Sequence, residues 1–120
     1  MPSILIVDDD LDIRREVSEI LREDGMEVLA ASGGAEALRL LRSSPLPVVI
    51  LLDLVMPRTD GWEFRRAQLA DPALAAIPVL VFSSFDNGPR NVAELRAAGF
   101  VTKPFSIAQL LDAIARYREM

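Results

Sequence analysis

Apolar residues in this chain occur in two alternating patterns. Short unbroken runs appear at Ile4 to Val7, Val48 to Leu52 and Val79 to Phe82, and two further short strands read at Glu27 to Ala31 and Phe100 to Thr102. Between them, apolar positions fall at helical spacing, as in Ile13, Val17, Ile20 and Leu21, with charges on the opposite face. Runs of this length read as strands buried on both faces, and the spaced segments as amphipathic helices. The punctuation agrees. Asp10 or Asp12 can cap or charge the first turn of the first helix, and Gly25 suits its C′ position. Ser32-Gly33-Gly34 precedes a helix from Ala35 to Arg42, with Leu38 and Leu41 facing inward. Pro47 and Pro57 bound the central run. After Gly61 a helix carries Trp62, Phe64, Ala67 and Leu69 inward and Arg65 and Arg66 outward, until Asp71-Pro72 breaks it. Pro89 leads a helix through Val92, Leu95 and Ala98 to Gly99, and Ser106 caps a last helix bearing Ile107, Leu110, Leu111 and Ile114.

Strand and helix thus alternate five times with no internal boundary, which predicts one α/β domain over residues 1–120. The sheet should be five-stranded and parallel, with helices on both faces and the flavodoxin-like order 2-1-3-4-5. Its switch point then lies between strands 1 and 3. Strand 1 ends in Asp8-Asp9-Asp10 and strand 3 ends in Asp53, so these acids converge. Strand 4 ends in Ser83-Ser84, and strand 5 runs into Lys103-Pro104-Phe105.

Composition narrows the chemistry. The chain has no cysteine and no histidine, which excludes disulfides, thiolate metal sites, Ser-His catalysis and a phosphohistidine of its own. The net charge of −5 argues against a basic nucleic-acid surface. No apolar run approaches the ~18 residues of a membrane span, and no signal peptide is evident, so a cytoplasmic location is expected. Three carboxylates brought together must either keep a proton or bind a cation. With only oxygen ligands the cation is a hard one, and so few carboxylates suit Mg²⁺ better than Ca²⁺. Lys103 is the only lysine, every other basic residue being arginine. A compact ammonium there, with a hydroxyl from Ser83 and a strand-end aspartate able to accept a phosphoryl group, describes a phosphoryl-transfer site.

These four strand-end motifs, Ile-Leu-Ile-Val-Asp-Asp-Asp at 4–10, Leu-Asp-Leu-Val-Met-Pro-Arg-Thr-Asp-Gly at 52–61, Ser83-Ser84 and Lys103-Pro104-Phe105, make the chain resemble a receiver (response-regulator) domain of two-component signalling. The resemblance runs from Ile4 to Tyr117. It implies that Asp53 is the phosphoacceptor and that Asp8, Asp9, Asp53 and the Val55 carbonyl hold Mg²⁺. Ser83, with Ser84, would be the switch hydroxyl, Lys103 would pair with a phosphoryl oxygen, and Phe100 would be the switch aromatic. Pro104 matches the family's cis-proline. Val55 and Phe85 occupy the positions that tune phosphoryl lifetime. The partners implied are a sensor histidine kinase or phosphotransfer protein, and an output partner at the face of helix 4, strand 5 and helix 5. The segment between Ala98 and Lys103 is shorter than receivers usually carry, which bears on helix 4 and that face.

Two other readings share this architecture. A haloacid-dehalogenase-type phosphatase also uses a strand-end aspartate with Mg²⁺, but the residue two beyond Asp53 is Val55, which cannot shuttle a proton. A flavodoxin-like nucleotide or flavin module would need a phosphate loop after strand 1, where Asp8-Asp9-Asp10 stands instead. No output domain follows Met120, so the chain is expected to act by docking or to be part of something longer.

Overall fold

Successive side chains of a strand point to opposite faces of its sheet, so an unbroken apolar run must be covered on both sides. The structure, a computed structural model, describes residues 2–54, 61–83 and 88–118, except for the side chains of 83 and 88–91. It shows this two-sided covering. In chain order the elements are β1 (Ser3–Val7), α1 (Leu11–Glu23), β2 (Glu27–Ala31), α2 (Gly34–Ser43) and β3 (Val49–Leu52). They continue with α3 (Gly61–Ala70), β4 (Val79–Ser83), α4 (Gly88–Leu95), β5 (Gly99–Thr102) and α5 (Ile107–Arg118). All strand pairs are parallel, in the order β2-β1-β3-β4-β5.

Leu5, Val7, Ile50, Leu52, Val79 and Val81 point to one face, where they pack with Ala37 and Leu41 of α2, Phe64 of α3 and Leu95 of α4. Ile4, Ile6, Val49, Leu51, Leu80 and Phe82 point to the other, under Val17 and Leu21 of α1 and Leu110, Ile114 and Tyr117 of α5. The doubly covered sheet anticipated from the apolar runs is therefore present.

Local signals operate as the residues dictate. The Asp10 side chain accepts hydrogen bonds from the Asp12 and Ile13 amides (2.9 and 3.3 Å) at the start of α1. Gly25 closes α1 at φ +85, with Gly25 N–H bonded to Arg22 O at 3.0 Å and Met26 N–H to Leu21 O at 3.1 Å. That pair of bonds is a Schellman motif, whose left-handed residue glycine adopts without Cβ strain. Ser106 and Gln109 form a reciprocal capping box at α5 (3.0 and 2.9 Å).

Two expectations are corrected. Helix α4 ends at Leu95, not Gly99, because the short Gly99–Thr102 segment is consumed by β5, where Gly99 pairs with Leu80. The helix closes a turn earlier, with Arg96 at φ +55. Arg65 does not face outward. It is buried, as is Gln68, and together with Phe64 and Gly61 they form the covered face of α3. Two of those four inward residues are polar, which explains the weak apolar periodicity of this helix.

Candidate functional site

In the parallel register Val7 of β1 lies beside Leu52 of β3. The next residue of each strand is an aspartate, so Asp8 and Asp53 leave the sheet side by side. Backbone bonds fix both: Asp53 N–H donates to Val7 O (2.9 Å) and Asp8 N–H to Ala31 O (3.1 Å). One carboxylate oxygen from each of Asp8, Asp9 and Asp53 lies within 4.8 Å of the others. Asp8 is fully buried and Asp53 is 7% exposed, whereas Asp9 faces solvent.

Lys103 enters from the end of β5, ahead of a cis Lys103–Pro104 peptide. Its Nζ donates to Asp8 Oδ2 at 2.5 Å and stands 3.8 Å from Asp53 Oδ2. The ammonium also sits 4.9 Å from the Phe82 ring centroid, and Phe82 in turn packs against Phe105 at 5.2 Å. These aromatic groups brace the lysine stem while the cation faces the acids. The other Asp8 atoms are occupied too. Oδ1 accepts the Asp10 amide (2.9 Å), and its carbonyl accepts Arg14 Nη1 (2.8 Å). Among the described residues three carboxylates face one ammonium, a formal excess of two negative charges over that group. In a partly buried site such an excess favours a further cation, and every available donor is a hard oxygen suited to Mg²⁺.

Gly61, the first residue of α3, lies against the end of β3. Its N–H donates to Leu54 O at 3.1 Å. A Cβ there would lie 2.6 Å from Asp53 O and 2.8 Å from Leu54 Cα, both backbone atoms. Only glycine lets α3 start this close to the aspartate.

The structure thus brings together Asp8, Asp9, Asp53 and Lys103. Ser83 ends β4, with its backbone beside Thr102, and its side chain lies outside the described residues. Val55, Ser84 and Phe85 also lie outside them. Phe100 is on β5, three residues before Lys103, and is 43% exposed. Arg14 was missed by sequence reasoning, since an arginine in the first turns of an amphipathic helix reads as solvated.

A strand-end acid trio with one lysine on a 2-1-3-4-5 sheet can be compared with known proteins. The family model described as the response regulator receiver domain matches residues 4–115. The chain belongs to that family. Receiver domains are regulatory signalling domains rather than conventional enzymes, and they interact with histidine kinases or phosphotransfer proteins. This receiver domain is 34% identical to the transcriptional regulatory protein PdtaR of Mycobacterium tuberculosis, over 98% of the chain and 58% of PdtaR. It is 34% identical to protein PilG of Pseudomonas aeruginosa, over 92% of the chain and 83% of PilG. Among solved structures it resembles the chemotaxis response regulator CheY4 of Vibrio cholerae, with a TM-score of 0.88, 32% identity and 98% of each chain covered. The domain therefore spans somewhat over half the length of PdtaR, a share below that for PilG. Among the described residues no helix is long and apolar enough to cross a membrane.

Proposed function

We propose that this receiver domain is a phosphorylation-activated switch in which Asp53 accepts a phosphoryl group from a histidine kinase or phosphotransfer protein. The observation that carries this reading is the meeting of Asp8, Asp9 and Asp53 within 4.8 Å, with Lys103 between Asp8 and Asp53. An Asp53 carboxylate oxygen forms the new P–O bond as the donor's P–N bond breaks, and the imidazole nitrogen leaves with the bonding pair and takes up a proton. Since this chain contains no histidine, the donor comes from another protein or domain.

Asp8, Asp9, Asp53 and the Val55 carbonyl are the groups that would hold Mg²⁺, which when bound supplies neutralisation of phosphoryl oxygens. Lys103 gives a positive point charge to a phosphoryl oxygen and, by its contact with Asp8, is already aimed at the site. Switch roles for Ser83, Ser84 and Phe100, and lifetime roles for Val55 and Phe85, rest on the family resemblance. Phosphorylation of Asp53 adds charge and acceptor oxygens, and biases a two-state arrangement of the β4–α4 and β5 segments. The output face is α4–β5–α5, where a groove of about 250 Å³ is lined by Phe100, Val101, Thr102, Pro104, Gln109 and Ala113. We place this chemistry in the cytoplasm.

The test is incubation with acetyl phosphate and Mg²⁺, read by intact-protein mass. One base-labile phosphoryl adduct of about 80 Da is expected on wild type and none on Asp53→Ala. An adduct of normal stoichiometry on Asp53→Ala would overturn the assignment, and continuous phosphate release would favour a phosphatase.

A further inference from the structure

Helix α4 ends in the same pair of bonds as α1, but with an arginine where α1 has glycine. Ala97 N–H reaches Val92 O at 2.9 Å and Arg96 N–H reaches Ala93 O at 3.4 Å, around Arg96 at φ +55. For a residue with a Cβ the left-handed conformation is disfavoured, and something must hold it. Arg65, buried on α3, does so. Its Nε donates to Leu95 O at 3.1 Å and its Nη2 to Arg96 O at 2.9 Å, the two carbonyls at the bend. Its Nη1 donates to Gln68 Oε1 at 2.8 Å, and Gln68 Nε2 donates to Leu74 O and Ile77 O at 3.0 and 3.1 Å. One guanidinium and one carboxamide therefore join α3, the turn before β4 and the end of α4. Just beyond, Ala98 N–H is bonded to Val79 O at 2.8 Å, tying the same end to β4. At its own N-terminus α3 is anchored to the loop of Asp53 through Gly61.

We propose that Arg65 is a positioning residue that pins the C-terminal end of α4 to α3, so that α4 pivots about Leu95–Arg96 when the site is charged. The coupling part of this inference rests on Asp53 being the phosphoacceptor; the pin itself does not. The helix has two unlike ends. The Arg96 end is held to α3, the next element in the chain after Asp53, while α4 begins at Gly88, after the strand that ends in Ser83. A displacement of the strand-4 end is then taken up at Gly88 and delivered as a change of helix tilt against β5. Lysine could not replace Arg65, because a single ammonium lacks the planar fork that spans two carbonyls and an amide oxygen.

Amide hydrogen exchange tests this on wild type, Arg65→Met and Arg65→Lys, each free and with beryllofluoride plus Mg²⁺ as the phosphoryl mimic. In the free proteins the Arg96 and Ala97 amides should exchange about ten-fold faster in Arg65→Met, and by an intermediate factor in Arg65→Lys, with β1 and β3 amides unchanged. On loading, wild type should change at the Gly88, Arg90 and Asn91 amides and keep protection at Ala97, whereas Arg65→Met should change at both ends. Equal acceleration across all strands of the free variants would reduce Arg65 to a general structural role and overturn the proposal. So would a loaded wild type that changes as much at Ala97 as at Gly88, Arg90 and Asn91. Should Arg65→Met not fold, Arg65→Lys alone decides by the same comparison. If Asp53 forms no adduct with acetyl phosphate, the phosphoacceptor reading has failed, and the free-protein comparison still decides the pin.

Discussion

At the carboxyl ends of β1 and β3, two buried carboxylates and one exposed carboxylate share a single ammonium. Under α3, a buried guanidinium is held by neutral oxygens of Leu95, Arg96 and Gln68. Burial costs both sites, but they answer the cost differently. The Arg65 network spreads one charge over fixed dipoles, and Gln68 uses its remaining donors on two more carbonyls. Burial first, and the Arg96 guanidinium second, lower the Arg65 pKa from its ordinary value. The sign is that of a destabilised cation, and the penalty is constant across neutral pH because it lifts only where the guanidinium would lose its proton. The acid site gathers three carboxylates around one ammonium among the described residues and reaches solvent through Asp9. A network of neutral partners with every buried nitrogen bonded suits a fixture. A cluster of like charges open to solvent suits a place where charge arrives and leaves.

The sharpest way to break this contrast is to remove each cation in turn. Lys103→Met should slow phosphoryl transfer to Asp53 by about 100-fold or more, the usual loss when one preorganised charge is taken from a reacting oxyanion. The fully buried Asp8 carboxylate then loses its ion-pair partner, so stability should fall as well, and the labelling rate is the readout that marks the site. Arg65→Met should separate the two readouts: a loss of about 2–4 kcal/mol in urea unfolding, since the Leu95 and Arg96 carbonyls are left without donors, and a near-normal rate of acetyl phosphate labelling. If Arg65→Met lost labelling as well as stability, the two sites would be one coupled unit and the contrast would fail.

How far the sequence carried this picture follows from the same two sites. Asp8, Asp53 and Lys103 were legible because each follows a short apolar run, and parallel strand order alone brings such ends together. Gly25, Asp10 and Ser106 were legible because capping is settled within a few residues. Arg65 was not. Beside Arg66 on a weakly periodic helix it reads as solvated, and its partners at Leu95 and Arg96 lie 30 and 31 residues away. The end of α4 misled for a related reason. Gly99 has the composition of a helix stop, but β5 needs it to pair with Leu80, and a non-glycine residue was made to close the helix instead.

A smaller effect sharpens the acid side. Mg²⁺ at ten times its dissociation constant should stabilise wild type by about 1.4 kcal/mol, seen as a rise in Tm. Asp9→Ala should lose most of that increment, because it removes the most accessible member of the trio. Arg65→Met should keep it in full, since well-separated sites with no shared partner add. A reduced increment in Arg65→Met would show that α3 transmits strain from the network to Asp53 through Gly61.

The smallest expected effect concerns the residue at which the guanidinium network meets the helix end. Arg96→Gly removes a Cβ from the left-handed position and a like charge from beside Arg65, and it also frees the unfolded chain. The first two effects stabilise and the third opposes, for a net gain of about 0.5–1 kcal/mol. Made in wild type and again in Arg65→Met, the substitution shows how far they depend on Arg65. Relief of repulsion needs Arg65, and backbone strain is greatest where Arg65 holds the bend, so the gain should shrink by a few tenths of a kcal/mol without it. Equal gains would mean that the Arg96 charge is screened from Arg65 and that the network tolerates its neighbour at no electrostatic cost. A loss of stability in wild type would mean that the Arg96 side chain contributes packing at the α3–α4 groove, beside Trp62, that outweighs the strain of its backbone.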